Sequence, residues 1–401
     1  MILQYFRLMN YLLLRLKRFC GFVTGFVFFI GGILKLMDPV GAGLVMGEYL
    51  DFMHLRFLGF ASKPLGVAFA LAETVVGTAL ITGVWRKVMG IAAMVFQAFF
   101  TILTLALVIF NPEMDCGCFG EAIHLTHMQT FLKNIVLCIL LCIYFFPAKM
   151  LGVNLKKKYV SFAIVTASVL AFTVYSWMYI PLVDFTDYKP AAALKAGHAF
   201  SEDEDDMYEA VFIYEKDGKE EEFDLSHLPD STWNFVRTET KVKEGYEEDK
   251  RIDLSFHDAS GDYHDELASE GKVMVISVYD TDIKAGRWQS ISTFARNAEE
   301  AGFRSLILVA GEIPQHMLMQ DNVYTADYKT LLSLNRSNGG ATYFSRGYLV
   351  RKWSARSLPS LEKLIEISGE DETETIIYHD TKGSLGFQGF LLYVFAVMLL
   401  L

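Results

Sequence analysis

No cysteine follows Cys142 in this chain of 401 residues, so neither a disulfide framework nor dithiol exchange can operate within the stretch beyond it. The first 180 residues are short of charge, with 14 Lys/Arg and 7 Asp/Glu, a net of +7. The rest holds 22 and 40, a net of −18, and together the two give the overall −11. The basic surplus is confined to short loops between apolar runs, which argues against nucleic-acid binding. A chain that is 52% hydrophobic yet strongly acidic is therefore two materials joined: a sparsely charged, basic part suited to a membrane and an acidic part suited to water.

Five runs before the acidic part are long enough, at about 1.5 Å per residue, to cross roughly 30 Å of hydrocarbon. They cover residues 19–37, 64–85, 88–110, 129–148 and 159–180, and a shorter sixth run covers 385–401. Lys133, near the start of the fourth, is placed to snorkel outward. Arg7, Arg15, Lys17 and Arg18 precede the first span, Arg86 and Lys87 follow the second, and Lys149 with Lys156, Lys157 and Lys158 follows the fourth. All fall on one side. The positive-inside rule makes that side the cytoplasm, with the loops 38–63 and 111–128 and residues 181–384 outside. The basic start of the first span also suits a cleaved signal peptide, but the absence of a small-x-small site and the continuation into Lys35 and Asp38-Pro39 favour a retained helix.

A carboxylate inside a span needs a partner or a wet cavity. Glu73 lies well inside the second span, and Lys35 and Gln97 on neighbouring spans are its candidate partners. Such a group serves either helix packing or a proton-linked, ligand-binding site. After the third span comes Asp115-Cys116-Gly117-Cys118-Phe119-Gly120. Cys116 and Cys118 can be joined only if the chain turns enough to bring their α-carbons within about 4.4–6.8 Å, a freedom Gly117 and Gly120 supply. A bridge across one residue would be strained and readily exchanged, which suits chemistry better than stapling. His124 and His127 could complete a Cys2His2 zinc set with the pair, or be ordinary polar residues at a membrane surface; no metal is assigned. Cys138 and Cys142, at i and i+4, share a helix face but stand too far apart to bridge. They are packing residues or a thiol relay. Cys20 reads as inert.

The stretches 31–39 and 72–77 and the Cys116-Gly117-Cys118-Phe119-Gly120 element together resemble the DoxX/MauE group of bacterial membrane proteins, and the cysteine element resembles the methylamine-utilisation MauE branch in particular. The resemblance covers about residues 19–148. It implies a four-helix bundle of the bacterial inner membrane, similar to quinone-linked disulfide-forming proteins and working with a thioredoxin-like partner or client outside the cytoplasm. Cys116 and Cys118 would be its redox pair, and Lys35, Asp38 and Glu73 its polar positions.

Beyond residue 180, the stretch 191–206 reads as a linker. A β-rich segment within 181–261 follows, with strands at 208–215, 220–225, 234–242 and 251–257. From 262 to 368 the pattern changes. Lys272 to Tyr279 is a continuous apolar run of the kind a buried parallel strand shows. A helix at 287–302 and a strand at 303–310 complete a βαβ unit. A strand at 323–325, a helix at 328–334, a hairpin at 341–353 and a helix at 360–367 follow. This order resembles a thioredoxin-like fold. Asp280-Thr281-Asp282-Ile283 stands where that fold carries Cys-x-x-Cys, and Asn338-Gly339-Gly340-Ala341 replaces its cis-proline approach. The expected architecture is thus an α-helical transmembrane bundle fused to an extracytoplasmic α/β thioredoxin-like domain. Two functions compete: a thiol-disulfide component linked to a quinone, and a non-enzymatic anchor presenting an interaction domain. A transporter using Glu73 is a third.

Overall fold

The computed structural model describes residues 2–112, 114, 116–148, 151, 156–195, 208–216, 219–223, 228–230, 232–242, 251–314, 317 and 321–400. Asp115, Lys149, the 196–206 stretch and the Asp217-Gly218 turn of the expected hairpin lie outside them.

Helices α1 (Ile2–Met37), α3 (Ser62–Thr82), α4 (Arg86–Phe110), α5 (His127–Phe145) and α6 (Lys156–Met178) form the membrane half. With α10 (Glu372–Leu400) they make six helices, among the described residues, long and apolar enough to cross a bilayer. Two expectations change here. The first helix starts well before residue 19: α1 begins at Ile2 and runs without a break to Met37. The sixth run is not a short stub: its helix begins at Glu372 and has 29 residues. Lys158 Nζ donates to the Met398 carbonyl (3.1 Å), so α10 returns to the end of the bundle where α6 starts. The other basic groups gather there too. Lys17 Nζ donates to the Pro147 carbonyl (3.0 Å) and Arg86 to that of Leu151 (2.7 Å), satisfying groups that helix ends leave open.

Glycines set the closest helix approach. A Cβ on Gly77 of α3 would lie 2.7 Å from the Gly25 carbonyl oxygen of α1, and one on Gly32 would lie 2.1 Å from Thr74 Oγ1. Gly21 instead faces the Tyr144 ring of α5, so Gly21-x-x-x-Gly25 serves two different helices inside the bundle. The 38–63 segment, expected as a loop, is largely helical. Helix α2 (Pro39–Phe52) packs on α3, followed by a 3-10 stretch, Arg56–Ala61. Asp38 caps α2 by accepting from the amides of Val40 (3.2 Å) and Gly41 (3.0 Å), and Pro39 takes the first turn.

Beyond α6, strands β2 (Tyr208–Lys216), β3 (Lys219–Phe223) and β4 (Asn234–Val242) form an antiparallel sheet in the order β3-β2-β4. The larger sheet is mixed. β5 (Lys272–Val278), β6 (Arg304–Ala310) and β7 (Val323–Ala326) run parallel, while β8 (Gly340–Ser345) and β9 (Tyr348–Trp353) are antiparallel, in the order β7-β6-β5-β8-β9. Alternate residues of β5 face opposite cores. Met274, Ile276 and Val278 pack with α7 (Ala285–Glu300) and α9 (Leu361–Gly369), and Val273 and Val275 with α8 (Tyr328–Leu334). Burial on both faces is why β5 reads as an unbroken apolar run.

Residues 251–257 are not a strand as expected. Ile252, Leu254 and Phe256 are buried in alternation, but Ser255 at φ +47° breaks the ladder and leaves only isolated bridges at Ile252 and His257. The start of the expected linker is docked: Ala193 bridges Tyr348 and Leu194 bridges Ile252.

Candidate functional site

At the end of the bundle facing the soluble domain, the chain leaves α4 through Asn111 and returns as the short extended segment β1 (Cys118–Glu121) before α5. Gly117 at φ +54° makes the turn, and a side chain there would press on Val45 of α2, the nearest atom 2.3 Å from its Cβ. Gly120 turns the same way at φ +61°. The turn puts Cys116 and Cys118 on the wall of a cavity of about 230 Å³ enclosed by α1, α2, α3, α4 and α5. Phe28, Phe69, Phe99, Phe100 and Phe119 make its walls mainly apolar, and Lys35, Glu73, Gln97, Lys133 and Asn134 are its charged and amide groups.

Inside the cavity Lys35 Nζ lies 2.6 Å from Glu73 Oε2, with both side chains less than one-fifth exposed. A buried pair of this kind satisfies each charge only while the other is present. Gln97 does not join it. Its amide donates to the Asn134 carbonyl (3.2 Å), and Asn134 donates to Thr104 Oγ1 (3.1 Å), which ties α4 to α5 along the cavity wall. Lys133 lines the cavity, its ammonium 4.8 Å from the centre of the Phe119 ring. Tyr49 of α2, which the sequence reading passed over, donates its hydroxyl to the Cys116 carbonyl (2.6 Å). α2 lies outside the six spans. Burial first, and then the thiols of Cys118 and Cys116, push the Tyr49 phenol well above its ordinary value and keep it a neutral donor.

Other expected residues lie elsewhere. Asp38 does not line the cavity: besides capping α2, its Oδ2 is 2.9 Å from Arg336 Nε of the soluble domain. Glu121, at the end of β1, is 3.1 Å from Arg336 Nη2. Cys138 contacts Thr101 Oγ1 at 3.3 Å and Cys142 is exposed on the bundle surface, so neither relay candidate lines the cavity. Cys20 is buried, and none of the five cysteines is in a disulfide. His127 is engaged by Asn111 Oδ1 (3.2 Å) and the Met114 carbonyl (2.9 Å), and no group of three or more His, Cys, Asp or Glu among the described residues could hold a metal.

A second junction lies close by. Lys352 of β9 is 2.6 Å from Asp184, in the segment leaving α6. Burial opposes the Asp184 charge, but Lys352 and hydrogen bonds from Lys352 and Thr186 outweigh it and hold the carboxyl below its usual range. Just after β5, Asn338 Oδ1 accepts from the amides of Tyr279 (2.9 Å) and Asp280 (3.1 Å). That corner is closed by an asparagine clamp.

Fold and site define a multi-pass helical membrane protein whose bundle holds a two-cysteine cavity beneath an appended mixed-sheet domain. Residues 9–147 match the family model of the methylamine utilisation protein MauE, and residues 208–245 match a domain of unknown function (DUF8463). The membrane half is thus MauE-like in sequence, over the same helices that enclose the cavity. No curated protein and no solved structure matches the chain.

Proposed function

We propose that Cys116 and Cys118 are an extracytoplasmic thiol-disulfide pair at the mouth of the bundle, linked to a quinone in the cavity beneath. The observation that carries this reading is that both cysteines share one aromatic-walled cavity with the Lys35–Glu73 pair. A flat apolar ring bearing two acceptor oxygens suits that lining: Phe69, Phe99 and Phe100 offer faces to stack on, and Lys35 and Lys133 offer donors. A bound quinone would supply a two-electron, two-proton acceptor for the dithiol. The chain's own part is thiol exchange. A client thiolate attacks one sulfur of the Cys116–Cys118 disulfide and forms a mixed disulfide; the second client thiol then displaces the chain's sulfur. The client leaves oxidised and the pair is left as the dithiol. Glu73, held by Lys35, is the carboxylate that shares the cavity with the pair.

The βαβ unit, the antiparallel β8–β9 hairpin and the closing helix support reading the soluble domain as thioredoxin-like, with the active-site turn replaced by Asp280-Thr281-Asp282-Ile283. The basic groups collected at the opposite end of the bundle support a cytoplasmic placement of that end. A second reading, a non-enzymatic anchor presenting an interaction domain, draws on the lack of any cysteine in the soluble domain. Thiol trapping with a mass-shifting reagent on wild type, Cys116→Ser and Cys118→Ser separates the two. The redox reading expects the wild-type pair to change state with quinone supply. A pair that stays reduced in respiring cells overturns it and leaves the anchor.

A further inference from the structure

Arg336 follows α8 in the soluble domain, yet its side chain, 4% exposed, is spent on the membrane half. Its position is fixed from behind. Asn335, fully buried, donates to the carbonyls of Ala341 (3.1 Å) and Trp353 (3.2 Å), and Tyr279 donates its hydroxyl to the Arg336 carbonyl (3.2 Å). The guanidinium then meets two carboxylates: Nη2 donates to Glu121 Oε1, and Nε forms an ion pair with Asp38 Oδ2 that lacks hydrogen-bond geometry. Those two carboxylates begin α2 and end β1, the two pieces of chain that wall the cavity beside the thiols. They flank Gly41, whose Cβ would lie 2.6 Å from Asp38 Oδ2 and 3.3 Å from Glu121 Cγ. Two negative charges this close repel unless a cation stands between them, and a fork of fixed geometry holds both at once.

We propose that Arg336 is a latch: docked, the soluble domain draws α2 and β1 together over the cavity and so controls access to Cys116. Arg336 is a positioning residue, acting on the thiols through the two segments that carry Asp38 and Glu121. Cys116 is 4% exposed, and Tyr49 of α2 holds its carbonyl, so a shift of α2 away from β1 opens the wall at that sulfur. The inference concerns access to the sulfurs and stands whether or not they exchange electrons.

The test is the alkylation rate of each cysteine by a membrane-impermeant maleimide, resolved by peptide mass spectrometry on full-length protein in lipid nanodiscs. Arg336→Ala should speed Cys116 at least tenfold and leave Cys20, buried at the other end of the bundle, unchanged. Arg336→Lys keeps the charge but not the fork and should fall between. A folded Arg336→Ala protein with the wild-type rate at Cys116, or with Cys20 accelerated equally, overturns the latch. Should Arg336→Ala fail to fold, Glu121→Gln removes one arm alone. A severalfold rise at Cys116 then supports the latch, and an unchanged rate overturns it. Thiol trapping against quinone supply reads the redox proposal separately, so the two can fail independently.

Discussion

Glycines at the α1–α3 contact do opposite work from those in the surface turns of the soluble domain. In the bundle, Gly25, Gly32 and Gly77 let α1 and α3 approach so closely that any side chain would strike backbone or a buried threonine. In the soluble domain, Gly261, Gly302 and Gly311 have nothing within 4 Å of a built Cβ and serve turns at positive φ. The contrast follows from the solvent each half was built for. Helices in lipid gain no hydrophobic drive from meeting one another and rely on close packing, whereas the sheet buries Val273, Ile276, Ile307 and Leu308 completely. Polar groups divide likewise. Thr74, Thr78 and Thr82 donate back to carbonyls four residues earlier on α3, each at 2.8 Å, while the ion pairs with soluble-domain residues Arg336 and Lys352 fix the seam between the halves.

The comparison can be broken first at the seam. Lys352→Ala leaves Asp184 charged, half-buried and without its cation, and should cost about 3 kcal/mol, the lower end for breaking a buried pair, in a denaturant titration of the full chain. The pair also predicts a pH dependence. The Asp184 carboxyl is held below its unfolded value, so its contribution is complete above about pH 4 and is lost as pH falls through the lower folded value. Lys352→Ala should remove that acid-side slope. Next comes the bundle: Gly77→Leu forces α1 and α3 apart and should cost about 3 kcal/mol, the upper end for overpacking, read as a lower melting temperature. The matching change in the soluble domain has the opposite sign. Gly286, in the first turn of α7, has open space around it, and Gly286→Ala should stabilise by about 0.4–1 kcal/mol. Destabilisation there would show that the two glycine classes are not distinct.

The two halves also differed in how far they could be read from sequence. The mixed sheet was legible nearly strand by strand, because its buried parallel strands are short apolar runs bounded by turns. The spans were legible from length and hydropathy. Helix α2 was not, although Asp38-Pro39 is a cap followed by a first-turn proline: its 14 residues are too short to span, so it fell within the loop between two spans. The cavity was half legible. Cys116, Cys118, Lys35, Glu73 and Gln97 were singled out by being polar or nucleophilic in an apolar chain. Tyr49 looked like any interfacial aromatic, Glu121 like loop charge, and Arg336 like one cation among many in an acidic domain. Only the fold, by setting Arg336 against two carboxylates more than 200 positions away, makes it conspicuous.

The smallest expected effect sharpens the same contrast, because it concerns a charge cluster of the soluble domain that touches no membrane residue. His264 Nε2 lies 3.1 Å from Asp258 Oδ2, and Ser260 donates to Asp258 and Asp262. The hydrogen bond that His264 donates to Asp258 raises the His264 value above the ordinary one, and hydrogen bonds from Ser260 and His264 hold Asp258 well below the usual carboxylate range. For a raised histidine the stabilisation is complete below the unfolded value of about 6.5 and is lost as pH rises through the higher folded one. His264→Gln should flatten the fall in stability across that alkaline-side window and leave the acid-side slope of Asp184 intact. Because the cluster is exposed, solvent screens it, and salt should shrink the difference between wild type and variant. Full-chain unfolding at pH 5.5 and 8.0, in low and high salt, measures this. A variant that instead altered the Cys116 alkylation rate would mean that the cluster is coupled to the seam and that the division between the two halves is drawn in the wrong place.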